Sequence, residues 1–156
     1  MSLDVSPELL AQAQADAVDP AAFLETVRTS LPYAYGLVES LAKQLDASEG
    51  SLPFADNQTP PPSEAERGQM LRALASDAIR SSLEDHFGVR LAFQNCHRVA
   101  VFRPGAENAD SHRDFTSQRA QLLNSPPNCA TASARATMRL GTPSAGSGFV
   151  GVADRV

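Results

Sequence analysis

The sequence predicts a small α+β domain: two or three N-terminal helices, one long helix and a C-terminal β-hairpin, followed by a disordered tail. Three observations carry that expectation. Apolar residues recur at helical spacing as far as Phe87, then at alternate positions beyond Gly88. Capping residues stand ahead of the helical stretches. From Pro104 onward large apolar residues become sparse and lose their period.

The first helix starts at Ser6-Pro7-Glu8, where a hydroxyl can accept a free amide and proline occupies the first helical position. Its stripe of Leu9, Leu10 and Ala13 fades near Ala17. Asp19-Pro20 repeats the start signal and opens a second helix carrying Phe23, Leu24, Val27 and Leu31. Pro32 has no amide to donate, so the helix should break or kink there. Beyond it Ala34, Val38, Leu41 and Leu45 hold a four-residue spacing. Residues 47–62 lose all pattern and read as a linker rich in Gly, Ser and Pro, in which only Leu52 and Phe54 look able to dock on a core.

The long helix is expected over residues 63–88. Ser63 and Glu66 form a capping box, and Pro60, Pro61 and Pro62 keep the chain extended just upstream. Leu71, Leu74, Ala78, Ile79, Leu83 and Phe87 form its stripe, and Gly88 supplies the left-handed stop. As one element it would be roughly 36 Å long at ~1.5 Å per residue. Gly36 and Gly68, inside helical stretches, suggest close helix approach. Arg80 can pair with Asp77 or Glu84 on a solvated face that also carries Asp85, and His86 suits the negative end of the helix dipole.

After Gly88 two arrangements fit. In a hairpin with the loop Asn95-Cys96-His97, Phe93 pairs with Val99 and Leu91 with Val101 on one face, while Gln94 meets Arg98 and Ala92 meets Ala100 on the other. In a single strand from Val89 to Phe102, Asn95 and His97 share the apolar side. The hairpin is the favoured arrangement. The compact domain is thus expected over residues 1–103, with the linker inside it, and residues 104–156 as a low-complexity tail carrying at most a short helix from Phe115 to Leu123.

Composition limits the function. The chain has 156 residues and a net charge of −5, with 14 acids against 8 bases up to Arg103. Such a body suits phosphate backbones poorly, so nucleic acid is not the expected partner. Helices followed by a hairpin is also the order of winged-helix domains; the acidic balance, the linker and the length of the third helix argue against that assignment. No apolar run approaches the ~20 residues of a membrane span, and the start M-S-L-D-V-S-P lacks a signal-peptide pattern. A cytoplasmic location with reduced thiols is the expectation.

Cys96 beside His97 is the pairing that could carry nucleophilic chemistry, with Arg98 able to lower the thiol pKa. Neighbours on an extended strand point to opposite faces, so only a hairpin tip would let His97 act on Cys96. His86, Cys96, His97, His112 and Cys129 lack metal-ligand spacing, and no metal is expected. No cofactor fingerprint is spelled, so none is expected either. The leading expectation is a non-catalytic interaction or regulatory protein acting through protein contacts of the long helix and hairpin. A homodimer is the suggested assembly, because a two-stranded hairpin exposes its edges. The competing class is a thiol-dependent enzyme or redox protein using Cys96 with His97.

Overall fold

A computed structural model describes residues 3–94 and 97–123. Ser6 Oγ accepts the Leu9 amide at 3.1 Å and starts α1 (Pro7–Gln14). Asp19 Oδ1 accepts the Ala21 amide at 3.2 Å and starts α2 (Pro20–Ser30). Pro32 ends that helix as expected and opens α3 (Pro32–Ala47). Leu31 offers α3 no side-chain cap. Gln69 does so from a distance, its Oε1 accepting the Tyr33 amide at 2.8 Å and the Ala34 amide at 3.4 Å.

The expected long helix is two helices, α4 (Glu64–Ala75) and α5 (Asp77–Phe87). Ser76 takes an extended conformation (φ −95°, ψ 114°), and its hydroxyl accepts the Ile79 amide at 3.5 Å. Ser-Asp at positions 76 and 77 is itself a cap signature, hidden because the apolar stripe runs through it. The corrected lengths are about 18 and 16 Å. Breaking the helix also shifts the stripe: Met70, Ala73 and Leu74 are buried, whereas Leu71 and Ala78 are exposed. At Ser63 the expected box forms with altered geometry, the Glu66 amide reaching Ser63 Oγ at 3.2 Å while that hydroxyl donates to the Glu66 carboxylate at 2.7 Å. Gly88 closes α5 in the left-handed region (φ 62°). Close approach does not explain Gly36 or Gly68, since a Cβ at either would meet nothing within 4 Å.

The hairpin forms with the expected register. β2 (Arg90–Gln94) pairs antiparallel with β3 (Arg98–Phe102), setting Leu91 against Val101, Phe93 against Val99 and Gln94 against Arg98. A third strand, β1 (Phe54–Asp56), arises inside the expected linker and pairs with the other edge of β3, giving the order β1-β3-β2. Alternation divides the two faces of this sheet. Val99 and Val101 face the main core with Val27, Leu31, Val38, Leu45, Met70, Leu74 and Leu83 from the helices. Ala92, Ala100 and Phe102 face the opposite way.

That second face moves the expected boundary at Arg103. A short 3₁₀ turn (Ala106–Asn108) leads into α6 (Asp110–Thr116), whose Phe115 is buried against Phe102 and Phe54, with ring centroids 6.0 and 5.8 Å away. Gln94, 1% exposed, donates its side-chain amide to the Phe115 carbonyl. Helix α7 (Gln118–Leu123) follows in the region where a short helix was expected. The described residues belong to one compact unit. Of the tail expected over residues 104–156, the part from residue 124 onward lies outside the described residues.

Candidate functional site

Helices α1, α2 and α5 wall an apolar groove of about 1140 Å³. Local hydrogen bonds hold α1 beside α2. Asp16 turns the chain in the left-handed region (φ 53°), the Ala17 amide donates to the Gln12 carbonyl at 2.9 Å, and Gln12 Oε1 accepts the Asp19 amide at 3.0 Å. At the other end the Asp4 amide donates to Ser30 Oγ at 2.8 Å. Leu9 is the buried anchor of α1, and Leu3, Phe23 and Leu24 form the groove's half-buried lining. Val5, Leu10 and Val18 line it too, and they are 44%, 53% and 42% exposed.

The polar lining comes from α2, α3 and α5. Arg28 pairs with Glu25 at 2.6 Å, and its guanidinium holds the Glu25 carboxyl below the usual carboxylate range. Both therefore stay ionised near neutral pH, and the Arg28 charge is taken up locally. Tyr35 Oη lies 3.3 Å from His86 Nε2. His86 sits in the last turn of α5, as the dipole argument required, and its ring also packs edge-on against Phe87 at 4.6 Å. Asp85 makes no ion pair among the described residues. Ser81 and Ser82 share the lining, yet neither hydrogen-bonds His86 among the described residues, so no activated hydroxyl is assembled.

The thiol pair is placed only in part. Cys96 lies outside the described residues. His97 ends the turn before β3, and its carbonyl accepts the Asn57 side-chain amide at 2.8 Å. Asn57, 8% exposed, also donates to the Thr59 carbonyl at 2.9 Å and accepts the Val99 amide at 2.7 Å. It thus ties the hairpin end to the segment after β1. The Arg98 guanidinium, suggested as the thiol's activator, forms an ion pair with the Asp56 carboxylate. Arg80 takes Asp77 at 2.7 Å, one of its two expected partners. Glu84 instead accepts the Leu91 amide at 2.8 Å and reaches Arg90 at 3.3 Å, joining α5 to β2.

Among the described residues no three His, Cys, Asp or Glu side chains come together as a metal site. His86 packs on Tyr35 and Phe87, whereas His112 sits edge-on to Phe102 at 5.0 Å on the second sheet face. Among the same residues no helix is long and apolar enough to cross a membrane.

A family model described as NucS shadow ORF, labelled KH_NucS_shadow, matches residues 1–131. The chain belongs to this family. Comparison with the curated proteins and with the solved structures gave no match. The family match spans all the described elements, and its description names a reading frame without naming an activity, substrate or partner.

The groove is not legible in the sequence because Leu9, Leu10 and Ala13 fall on one short apolar stripe, which does not distinguish the buried residue from the exposed one. The available signal was helix length. An eight-residue helix with only Leu9 buried leaves its remaining apolar residues without cover.

Proposed function

We propose that this member of the NucS shadow ORF family is a non-catalytic interaction protein that binds a protein partner through the groove between α1, α2 and α5. The observation that supports this function is the company kept by its exposed apolar residues. Among the described residues seven large apolar side chains are exposed, and three of them, Val5, Leu10 and Val18, line this one groove. Clustered exposure of that kind accompanies binding surfaces, while scattered exposure needs no explanation.

This choice relocates the binding surface from the long helix and hairpin. The hairpin edge at β3 is covered by β1, which weakens the motive for homodimer formation through that edge. The letters KH in the family label are shared with an RNA-binding module whose GXXG loop clamps four backbone nucleotides. No G-x-x-G is spelled among the described residues. The sequence contains it at Gly148 to Gly151, outside them. With a net charge of −5 as well, a protein partner is favoured over nucleic acid. The thiol-dependent alternative rests on Cys96, which lies outside the described residues.

A photocrosslinking residue placed at position 10 of the full chain, in the host cell, tests the proposal. The expected result is one discrete protein adduct that disappears when Val18→Asp is added, with no such adduct from the same probe at Leu123. Equal labelling from both positions, or an adduct indifferent to Val18→Asp, would overturn it.

A further inference from the structure

We infer that α1 is a movable wall of the groove: residues 3–15 undock as a unit, hinged at Asp16–Asp19, in a step separate from unfolding of the core. Burial carries the inference first. Leu9 is the one buried residue of α1, whereas α3 buries five. Leu9 also lies outside both buried clusters of the fold, and of the arm only Leu3, half-buried, packs against the main one. α1 has eight residues, short of the roughly 12–15 below which an isolated helix is marginal in water. Docking therefore holds it, and docking rests on one anchored side chain.

The ties at its two ends are equally light. The Asp4 amide on Ser30 Oγ and the Asp19 amide on Gln12 Oε1 are both exposed, so water replaces either partner at little cost. Between α1 and α2 the backbone turns through Asp16 at φ 53°, a left-handed conformation that a residue with a Cβ adopts at a cost. Opening releases that cost, and a few residues between two elements are where a hinge absorbs a change in φ and ψ. The arm lends Leu3, Leu9 and Leu10 to the groove's lining, while α2 and α5 lend Phe23, Leu24 and Ala78. Moving the arm therefore sets the width of the groove, which has a narrow and a wide state. That consequence for binding rests on the role proposed above; the motion itself does not.

Native-state hydrogen exchange of the full chain, followed by NMR in guanidinium chloride below the unfolding transition, tests the motion. The Leu10 and Ala15 amides donate to the Ser6 and Ala11 carbonyls. They should exchange at least about 100-fold faster than those of Leu41 and Leu45 in α3, with a weaker dependence on denaturant because less surface is exposed. Leu9→Ala should speed exchange at both α1 amides by one common factor of about tenfold. Ser30→Ala should do so by about threefold, with α3 unchanged in each variant. Exchange of α1 in step with α3, or Leu9→Ala speeding both helices alike, would overturn the motion and leave a rigid groove still open to a partner. Rates graded along α1 and indifferent to Leu9→Ala would overturn it as fraying of a helix end. Exchange at the rate of an unstructured peptide would overturn it too, since no docked state would exist to open.

Discussion

Two apolar surfaces flank the central core of this protein, and the chain treats them differently. On the far side of the sheet, Ala92, Ala100, Phe102 and Phe54 would be open to water if the fold stopped at Arg103. Helix α6 closes that surface, and one aromatic side chain, Phe115, does most of the covering. On the helical side, Val5, Leu10 and Val18 stand around a groove that no described element covers. The sheet surface is sealed, and the helical one is left open. Apolar content alone therefore separates core from binding surface poorly; what decides is whether the chain supplies a further element in reach.

The largest effects should come from reopening the sealed surface. Phe102 is fully buried and stacks on Phe54 at 5.1 Å, with Phe115 and His112 edge-on to it. Phe102→Ala should cost about 3–5 kcal/mol in a denaturant titration, because the buried ring's contacts are lost and the surrounding structure relaxes only partly into the cavity left behind. Phe115→Ala should reproduce much of that loss and should also raise amide exchange in β2, because α6, held on the sheet by the Phe115 ring, would loosen and draw its carbonyl at position 115 away from the Gln94 side chain. If Phe115→Ala were silent in both measurements, α6 would not be the sheet's cover.

Next in size is the polar tie at the hairpin end. Asn57→Ala removes two donations, to the Thr59 and His97 carbonyls, and leaves the buried Val99 amide without its acceptor. About 2–3 kcal/mol is expected, the cost of stranding a buried donor together with a lost side-chain bond. Asn57→Asp keeps an acceptor for the Val99 amide but sets a buried carboxylate oxygen against the Thr59 and His97 carbonyls, so near neutral pH it should cost at least as much as Asn57→Ala. The Ser76 cap is weaker still. Ser76→Ala should cost about 1 kcal/mol, and it should do so without merging α4 and α5, since the packing of Leu74 and Ile79 fixes the bend independently.

These three sites also show what the sequence could and could not convey. The hairpin register was legible because period-two alternation admits few pairings once both faces are distinguished: Leu91 with Val101 and Phe93 with Val99 followed directly. The helix starts at Ser6, Asp19 and Ser63 were legible for a similar reason, since capping is a local bond between near neighbours. The cap at Ser76 obeys the same chemistry, yet it sat inside a continuous apolar stripe and was overridden by it. β1 was hidden for a different cause. Three residues carry too little alternation to signal a strand, and Phe54–Asp56 is one only because the β3 edge is waiting for it. Helix α6 was hidden in the same way, its worth lying in where Phe115 lands. The candidate site was the least legible part, because an exposed leucine and a buried one read alike until the neighbours are known.

The smallest stability effect is the most informative about the open surface. Leu10→Asn should change the unfolding free energy by no more than about 0.5 kcal/mol, as befits a side chain already 53% exposed and outside the main core. Set beside Phe102→Ala, that near-silence is the expected mark of an apolar residue kept for something other than folding. A cost above about 2 kcal/mol would show instead that Leu10 is part of the core in solution, with α1 closing the groove by packing more deeply on α2 and α5. The two surfaces would then be alike. The contrast between them, and the binding role that follows from it, would have to be given up.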